Sequence, residues 1–178
     1  AAVVVDTSKL PTYGVLVAQH PRIDLRTVHL VRDPRATAYS WLKRSRSEGA
    51  AGRAYLPRVG VGRSAVTWIV WNLFTEAIGR RTRDRYLCVR YEDLVADPRR
   101  VVTAIVGFAG LAGAAVPIDA DGTMHVAEAH TTAGNPNRFD RGTTRIRPDR
   151  TWEDGLSRRH WWLVTLLTWP VLLRYGYP

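Results

Sequence analysis

Cysteine is almost absent from this chain of 178 residues, Cys88 being the single one. One thiol can neither close an internal disulfide nor build a cysteine metal cluster, which excludes a disulfide-stapled scaffold and makes a reducing cytoplasm the natural setting. Acidic side chains are also scarce, 16 against 26 lysines and arginines, for a formal net charge of +10. Such a surplus suits anionic partners: nucleic acid, anionic lipid or a nucleotide with several phosphates. An arginine-rich coding bias is the plain alternative. Long apolar runs are missing. Val3-Val4-Val5 is too short for a signal-peptide core and has no basic leader. The stretch from Trp161 to Leu173 is broken by Pro170 and falls short of the roughly 20 residues of a spanning helix. It reads as a buried C-terminal helix or, with Arg158, Arg159 and Arg174 at its flanks, as an interfacial one. Repeats and low-complexity tracts are absent. No His, Asp and Glu cluster stands at ligand spacing, so no metal is expected.

What is present is an ordinary globular mixture, 46% hydrophobic and 24% charged, of a length that suits one domain over 1–178. Strand-like and helix-like stretches alternate, which predicts an α/β fold with a mostly parallel sheet flanked by helices. The β-branched run Ala2 to Val5 predicts a central strand buried on both sides. A short helix is expected near Leu10 to Gln19, and a second strand of the buried type over Thr27 to Val31. Asp33 followed by Pro34 pairs an N-cap with proline at the first helical position, so a helix should open there and run to about Arg46. Ser47 to Arg63, rich in glycine and proline, predicts a loop. Ser64 then caps a helix carrying Trp68, Trp71, Asn72, Thr75 and Ile78 at helical spacing. Tyr86 to Arg90 predicts a third strand. Asp97-Pro98 repeats the cap-and-proline device and starts a helix to about Phe108. Ala112 to Asp121 is a small-residue connection, and Ala133 to Pro148 a long polar loop of the kind that is usually functional.

Each predicted strand ends where a charged residue begins: Val5 before Asp6, Val31 before Arg32, Val89 before Arg90. Ligands of open parallel sheets collect beyond the carboxyl ends of strands. The sharpest such point is His29-Leu30-Val31-Arg32-Asp33-Pro34-Arg35-Ala36-Thr37-Ala38-Tyr39-Ser40. Here an arginine fork stands beside a helix N-terminus whose N–H groups lack partners, a ready anion site to which Ser40 can add a hydroxyl. Local pairing of Arg32 with Asp33 is the structural alternative.

This stretch resembles the 3′-phosphate-binding segment of bacterial-type sulfotransferases that use 3′-phosphoadenosine-5′-phosphosulfate (PAPS). In that family an arginine and a serine eight positions later clasp the 3′-phosphate, and Arg32 and Ser40 have that spacing. Val89-Arg90-Tyr91-Glu92-Asp93-Leu94 is similar to the family's strand-turn-helix signature, its acidic pair expected to tie the turn rather than to react. His130 through Gly142 resembles the C-terminal loop that closes over the nucleotide, which implies cofactor roles for Arg138, Arg141 and Gly142. Asp6-Thr7-Ser8-Lys9-Leu10-Pro11 resembles the strand tip facing the transferring sulfuryl group. Where many members have a histidine, this chain has Lys9, suited as an ammonium to stabilise developing negative charge. His130 is the candidate general base.

The resemblance implies a P-loop NTPase-like sulfotransferase fold that is N-terminally incomplete. The chain opens in what resembles the strand after the family's phosphosulfate loop, so about the C-terminal two-thirds of the domain is expected, with a central sheet position unfilled. Gly60-Val61-Gly62-Arg63-Ser64 lacks a preceding strand and the Gly-Lys-Ser/Thr ending of a phosphate loop, and reads as loop plus helix cap. The implied activity moves a sulfuryl group from PAPS to a hydroxyl or amine acceptor, a small molecule, glycan or lipid, without metal and without a nucleic-acid partner. The Ser47 to Arg63 stretch and the Trp68 and Trp71 helix offer an acceptor wall, or the tryptophans are core. A non-catalytic basic fragment that binds nucleic acid or another anion is the alternative.

Overall fold

Two parallel strands organise the molecule. The structure, a computed structural model, describes residues 3–7, 10–43, 46–49, 52–55, 58–81, 83–126, 133–134 and 142–178. Along the chain run α1 (Pro11–Ala18), β1 (Thr27–Val31), α2 (Pro34–Leu42), β2 (Arg46–Gly49), β3 (Gly52–Tyr55) and α3 (Val61–Arg81). Then come β4 (Tyr86–Arg90), α4 (Tyr91–Ala96), α5 (Pro98–Phe108), β5 (Thr123–Val126), β6 (Ala133–Gly134), β7 (Gly142–Arg145), α6 (Thr151–Gly155) and α7 (Arg158–Arg174). β1 and β4 form the parallel ladder, with Val31 opposite Arg90, so both strands end together. Their boundaries and the proline-led starts of α2 and α5 agree with the sequence. The caps are as expected too: Asp33 accepts from the Arg35 N–H and Asp97 from the Arg100 N–H.

The core lies on one side of this pair. Val31 packs with Trp68 of α3, Val171 and Leu172 of α7, and Tyr177 beyond it. A second cluster joins Ala38 of α2 to Val61, Ala65 and Val164. Small residues at Ala38 and Ala65 let the helices approach closely, and the alternation of buried and exposed positions along β1 follows the strand period of two. The C-terminal helix is buried on one face only. Val164, Thr168 and Leu172 are sealed, while Trp162, Leu166, Trp169 and Leu173 face outward. Among the described residues no helix is long and apolar enough to cross a membrane.

Several expectations are corrected. The sheet is not mostly parallel: β3-β2-β6 and β5-β7 are separate antiparallel sheets, and β1-β4 is a two-stranded parallel one. The Val3-Val4-Val5 run is not a buried strand, Val4 being 85% exposed and no described ladder including it. β-branched residues favour a pleated surface, but a strand exists only where a partner offers hydrogen bonds. The ladder between β1 and β4 is direct, with no gap between those two strands. Within the expected loop from Ser47 to Arg63 lies a hairpin, β2 with β3, in register from Arg46 with Tyr55 to Gly49 with Gly52. Gly49 ends β2 and Gly52 opens β3. The polar stretch from Ala133 to Pro148 contains β6 and β7, paired with β2 and β5. α2 stops at Leu42, because Lys43 turns extended and places its Nζ over the Tyr39 ring and 3.0 Å from Thr151 Oγ1.

Candidate active site

The two sequence signatures meet at the carboxyl ends of β1 and β4. Glu92 Oε1 accepts from the backbone N–H of Asp33 at 3.1 Å, stitching the strand tips together, and Tyr177 sets its hydroxyl 2.6 Å from Glu92 Oε2 and 3.2 Å from the Val31 carbonyl. Glu92 is thus a tie across the turn, as its place in the acidic pair suggests. Burial and then Glu92 push the Tyr177 phenol above its usual range, so it stays protonated and donates.

Arg32 stands at this junction. Its guanidinium lies over the Tyr91 ring at 4.7 Å, and Nη2 donates to Asp149 Oδ2 at 3.1 Å. Its carbonyl accepts from the Trp68 indole at 2.9 Å. The side chain keeps 26% of its exposure, yet Nε is buried and has no hydrogen-bond partner among the described residues. A buried unpartnered donor is costly in a finished site and useful in a binding one. Asp149 is held below the usual carboxylate range by the Thr151 hydroxyl first, with Arg32 contributing.

Arg32 does not pair with Asp33. Asp33 belongs to Arg35, whose Nε and Nη2 reach its carboxylate at 3.0 and 2.6 Å in a buried pair. Trp152 and Trp161 present their rings to the Arg35 guanidinium at 5.5 and 5.0 Å. This corrects the picture of an open helix end. At the start of α2, Pro34 has no N–H and the Arg35 N–H is taken by Asp33, so the helix offers an anion less than its sequence promised. Ser40 lies exposed on α2. Gly142 opens β7 opposite Val126 with φ +98°, a left-handed conformation that glycine accepts without strain. Lys9, His130, Arg138 and Arg141 lie outside the described residues.

A cleft of about 530 Å³ runs along β1 between α1 and α3 and reaches Arg32. Both tryptophans of α3 line the cleft, Trp68 from within the core at 6% exposure and Trp71, 40% exposed, edge-on to Trp41 at 6.4 Å. Ser64 is not a cap. α3 begins at Val61, and the Ser64 hydroxyl is buried beside the cleft without a partner among the described residues.

Sequence reasoning missed the histidine that matters structurally. Asn72 Nδ2 donates to the Trp68 carbonyl at 2.6 Å, so its Oδ1 accepts from His29 Nε2 at 2.8 Å. His29 Nδ1 then accepts from the Tyr86 hydroxyl at 2.7 Å. The ring is neutral, and burial lowers its pKa against smaller opposing effects of Asn72 and Glu76. Both nitrogens being engaged, His29 is a structural polar link. Only its alternation with apolar neighbours in β1 hinted at an inward side chain. Among the described residues no group of three or more His, Cys, Asp or Glu side chains is arranged to hold a metal ion.

Comparison with known proteins places these features. A model of the sulfotransferase family matches residues 7–114, which include both strand tips and the cleft helix α3. Carbohydrate sulfotransferase 5 of Mus musculus is 33% identical over 109 residues, 51% of this chain and 26% of that protein. Carbohydrate sulfotransferase 1 of Homo sapiens is 30% identical over 152 residues, 75% of this chain and 34% of its own. Carbohydrate sulfotransferase 2 of Homo sapiens is 30% identical over 125 residues, 51% of this chain and 24% of its own. The chain spans about a quarter to a third of the length of these relatives. No solved structure matches it significantly. With signatures, strand-tip arginine and family model in agreement over the same residues, this chain belongs to the sulfotransferase family.

Proposed function

We propose that the chain forms one sulfotransferase-like domain over 1–178, of P-loop NTPase-like ancestry, that handles PAPS as sulfuryl donor. Arg32, with Ser40, grips the 3′-phosphate. Arg138, Arg141 and Gly142 cover the nucleotide, Lys9 neutralises charge at the sulfuryl oxygens, and His130 takes the acceptor proton. In the step itself the bond between the donor's sulfuryl sulfur and its bridging phosphate oxygen breaks. A new bond from that sulfur to the acceptor oxygen or nitrogen forms, the acceptor proton passes to the base, and 3′-phosphoadenosine 5′-phosphate leaves. Such transfers are catalysed mainly by positioning and charge neutralisation. The relatives' names support a glycan acceptor. The single thiol Cys88 suits a cytoplasmic setting.

The observation that carries the reading is Arg32: a guanidinium at a strand tip, braced on Tyr91, with a buried Nε that no group among the described residues satisfies. A phosphate oxygen would complete it. Calorimetry with 3′-phosphoadenosine 5′-phosphate and with AMP tests this. The expected result is binding that needs the 3′-phosphate and is lost in Arg32→Ala with the fold intact, whereas equal affinity for the two nucleotides would sink it. The net charge of +10 favours a second reading, a non-catalytic basic fragment that meets nucleic acid or other polyanions. That reading expects a steep salt dependence without nucleotide preference.

A further inference from the structure

The cleft beside β1 combines two features that seldom coincide by accident. Its walls carry aromatic rings, exposed Tyr13 of α1 and Trp71 of α3 and half-buried Trp41 of α2, the two tryptophans set edge to face. Two of the hydroxyls on those walls are already spent: Thr75 donates to the Trp71 carbonyl at 2.8 Å, and Thr37 to the Asp33 carbonyl at 3.0 Å. Two buried polar atoms of lining residues, Ser64 Oγ and Arg32 Nε, have no partner among the described residues. They belong to one neighbourhood. Ser64 precedes Trp68 by one turn of α3, and the Trp68 indole donates to the Arg32 carbonyl at 2.9 Å. A cleft of about 530 Å³ is of the size that encloses a small ligand.

From this we infer that the cleft is the acceptor site, that it takes an alcohol carried on a flat apolar body, and that Ser64 is a positioning residue for the reacting hydroxyl. The inference rests on the donor reading of Arg32 and adds the acceptor's chemistry to it. The apolar body lies against Trp41, Trp71 and Tyr13, where a flat ring gains stacking that a bare sugar or straight chain does not. The acceptor hydroxyl reaches the Ser64 end, where it both donates to and accepts from an otherwise idle hydroxyl, beside the arginine that the donor engages. An aryl glycoside is a simple member of this class. It joins the carbohydrate hydroxyls suggested by the relatives' names to an aromatic aglycone that the walls fit.

The test uses 4-nitrophenyl β-D-glucopyranoside and methyl β-D-glucopyranoside as probes, with calorimetric titration of the full chain. The aryl glycoside is expected to bind about tenfold more tightly than the methyl glycoside. Trp71→Ala should abolish that difference and Trp71→Phe should restore most of it, which separates loss of a ring from loss of fold. Ser64→Ala should weaken aryl glycoside binding by about 2- to 10-fold. It should leave the thermal midpoint unchanged or raised, because a methyl replaces an unpaired buried hydroxyl. Equal affinity for the two glycosides overturns the inference, as does insensitivity to Trp71→Ala. If 3′-phosphoadenosine 5′-phosphate binds in an Arg32-dependent way while the aryl glycoside does not bind, the acceptor assignment falls and the donor reading stands. If the aryl glycoside binds as expected and the nucleotide does not, the cleft assignment stands and the donor reading falls.

Discussion

Asp149 and a phosphate compete for the positive charge of the Arg32 guanidinium, and that competition gives a prediction with a sign. In the structure Nη2 donates to Asp149 Oδ2 at 3.1 Å, with 26% and 42% of the two side chains exposed. An ion pair open to water to this degree contributes about 0.2–1 kcal/mol. Replacing Asp149 by asparagine keeps an Oδ1 to accept from the Thr151 N–H, a bond of 3.1 Å, but removes the charge that holds Arg32. If Arg32 is the phosphate ligand, Asp149→Asn should therefore tighten binding of 3′-phosphoadenosine 5′-phosphate by about 1.4- to 5-fold. Removing the guanidinium in Arg32→Ala forfeits charge-assisted hydrogen bonds of about 1.5–3 kcal/mol each, a loss of at least about 10-fold. The two variants must move affinity in opposite directions. Asp149 titrates below its ordinary value, held down by the Thr151 hydroxyl and then by Arg32. The pair's stability contribution is full above the unfolded value of about 3.9 and is lost as pH falls through the folded one. Across pH 5 to 8 the effect of Asp149→Asn should accordingly be flat. Calorimetry at low salt in that range is the assay. Weaker binding by Asp149→Asn, or no change in either variant, would refute the reasoning.

Two further outcomes concern the frame that holds the site. A Cβ at Gly79 would run into the Tyr86 ring, which β4 holds in place, so Gly79→Ala should destabilise the fold by about 1–3 kcal/mol in urea unfolding; a wild-type midpoint would contradict the packing. Burial depresses the His29 pKa, so the unfolded chain binds its proton more readily and stability falls as pH drops below about 6.5 toward the folded value. The thermal midpoint should decline over pH 6.5 to 5, and His29→Gln should flatten that part of the profile; an unaltered slope in the variant would exclude His29 as its source.

How far the sequence could be read depended on whether the determining contacts were local. The edges of β1 and β4 and the starts of α2 and α5 were legible, since Asp33-Pro34 and Asp97-Pro98 act within one turn of themselves. The hairpin of β2 and β3 was not, because glycine-rich segments serve loops and turns alike and pairing is a non-local choice. Trp68 and Trp71 both stand at helical spacing and both line the cleft, yet one is sealed in the core and the other is exposed. Periodicity shows a face of a helix but not the neighbour it meets.

For the candidate site the division is similar. By itself the sequence determined that an arginine follows a strand beside a capped helix and that a Tyr-Glu-Asp turn follows another strand, for these are matters of adjacent residues and chain stiffness. Tertiary structure alone decided that Arg35, and not Arg32, neutralises Asp33, that Glu92 and Tyr177 tie the strand tips, and that Asp149 arrives from 117 positions away to hold Arg32. Each of these is a competition among charged groups for partners, and its winner is set by which chains burial brings within hydrogen-bond reach, a distance that no run of neighbouring residues encodes.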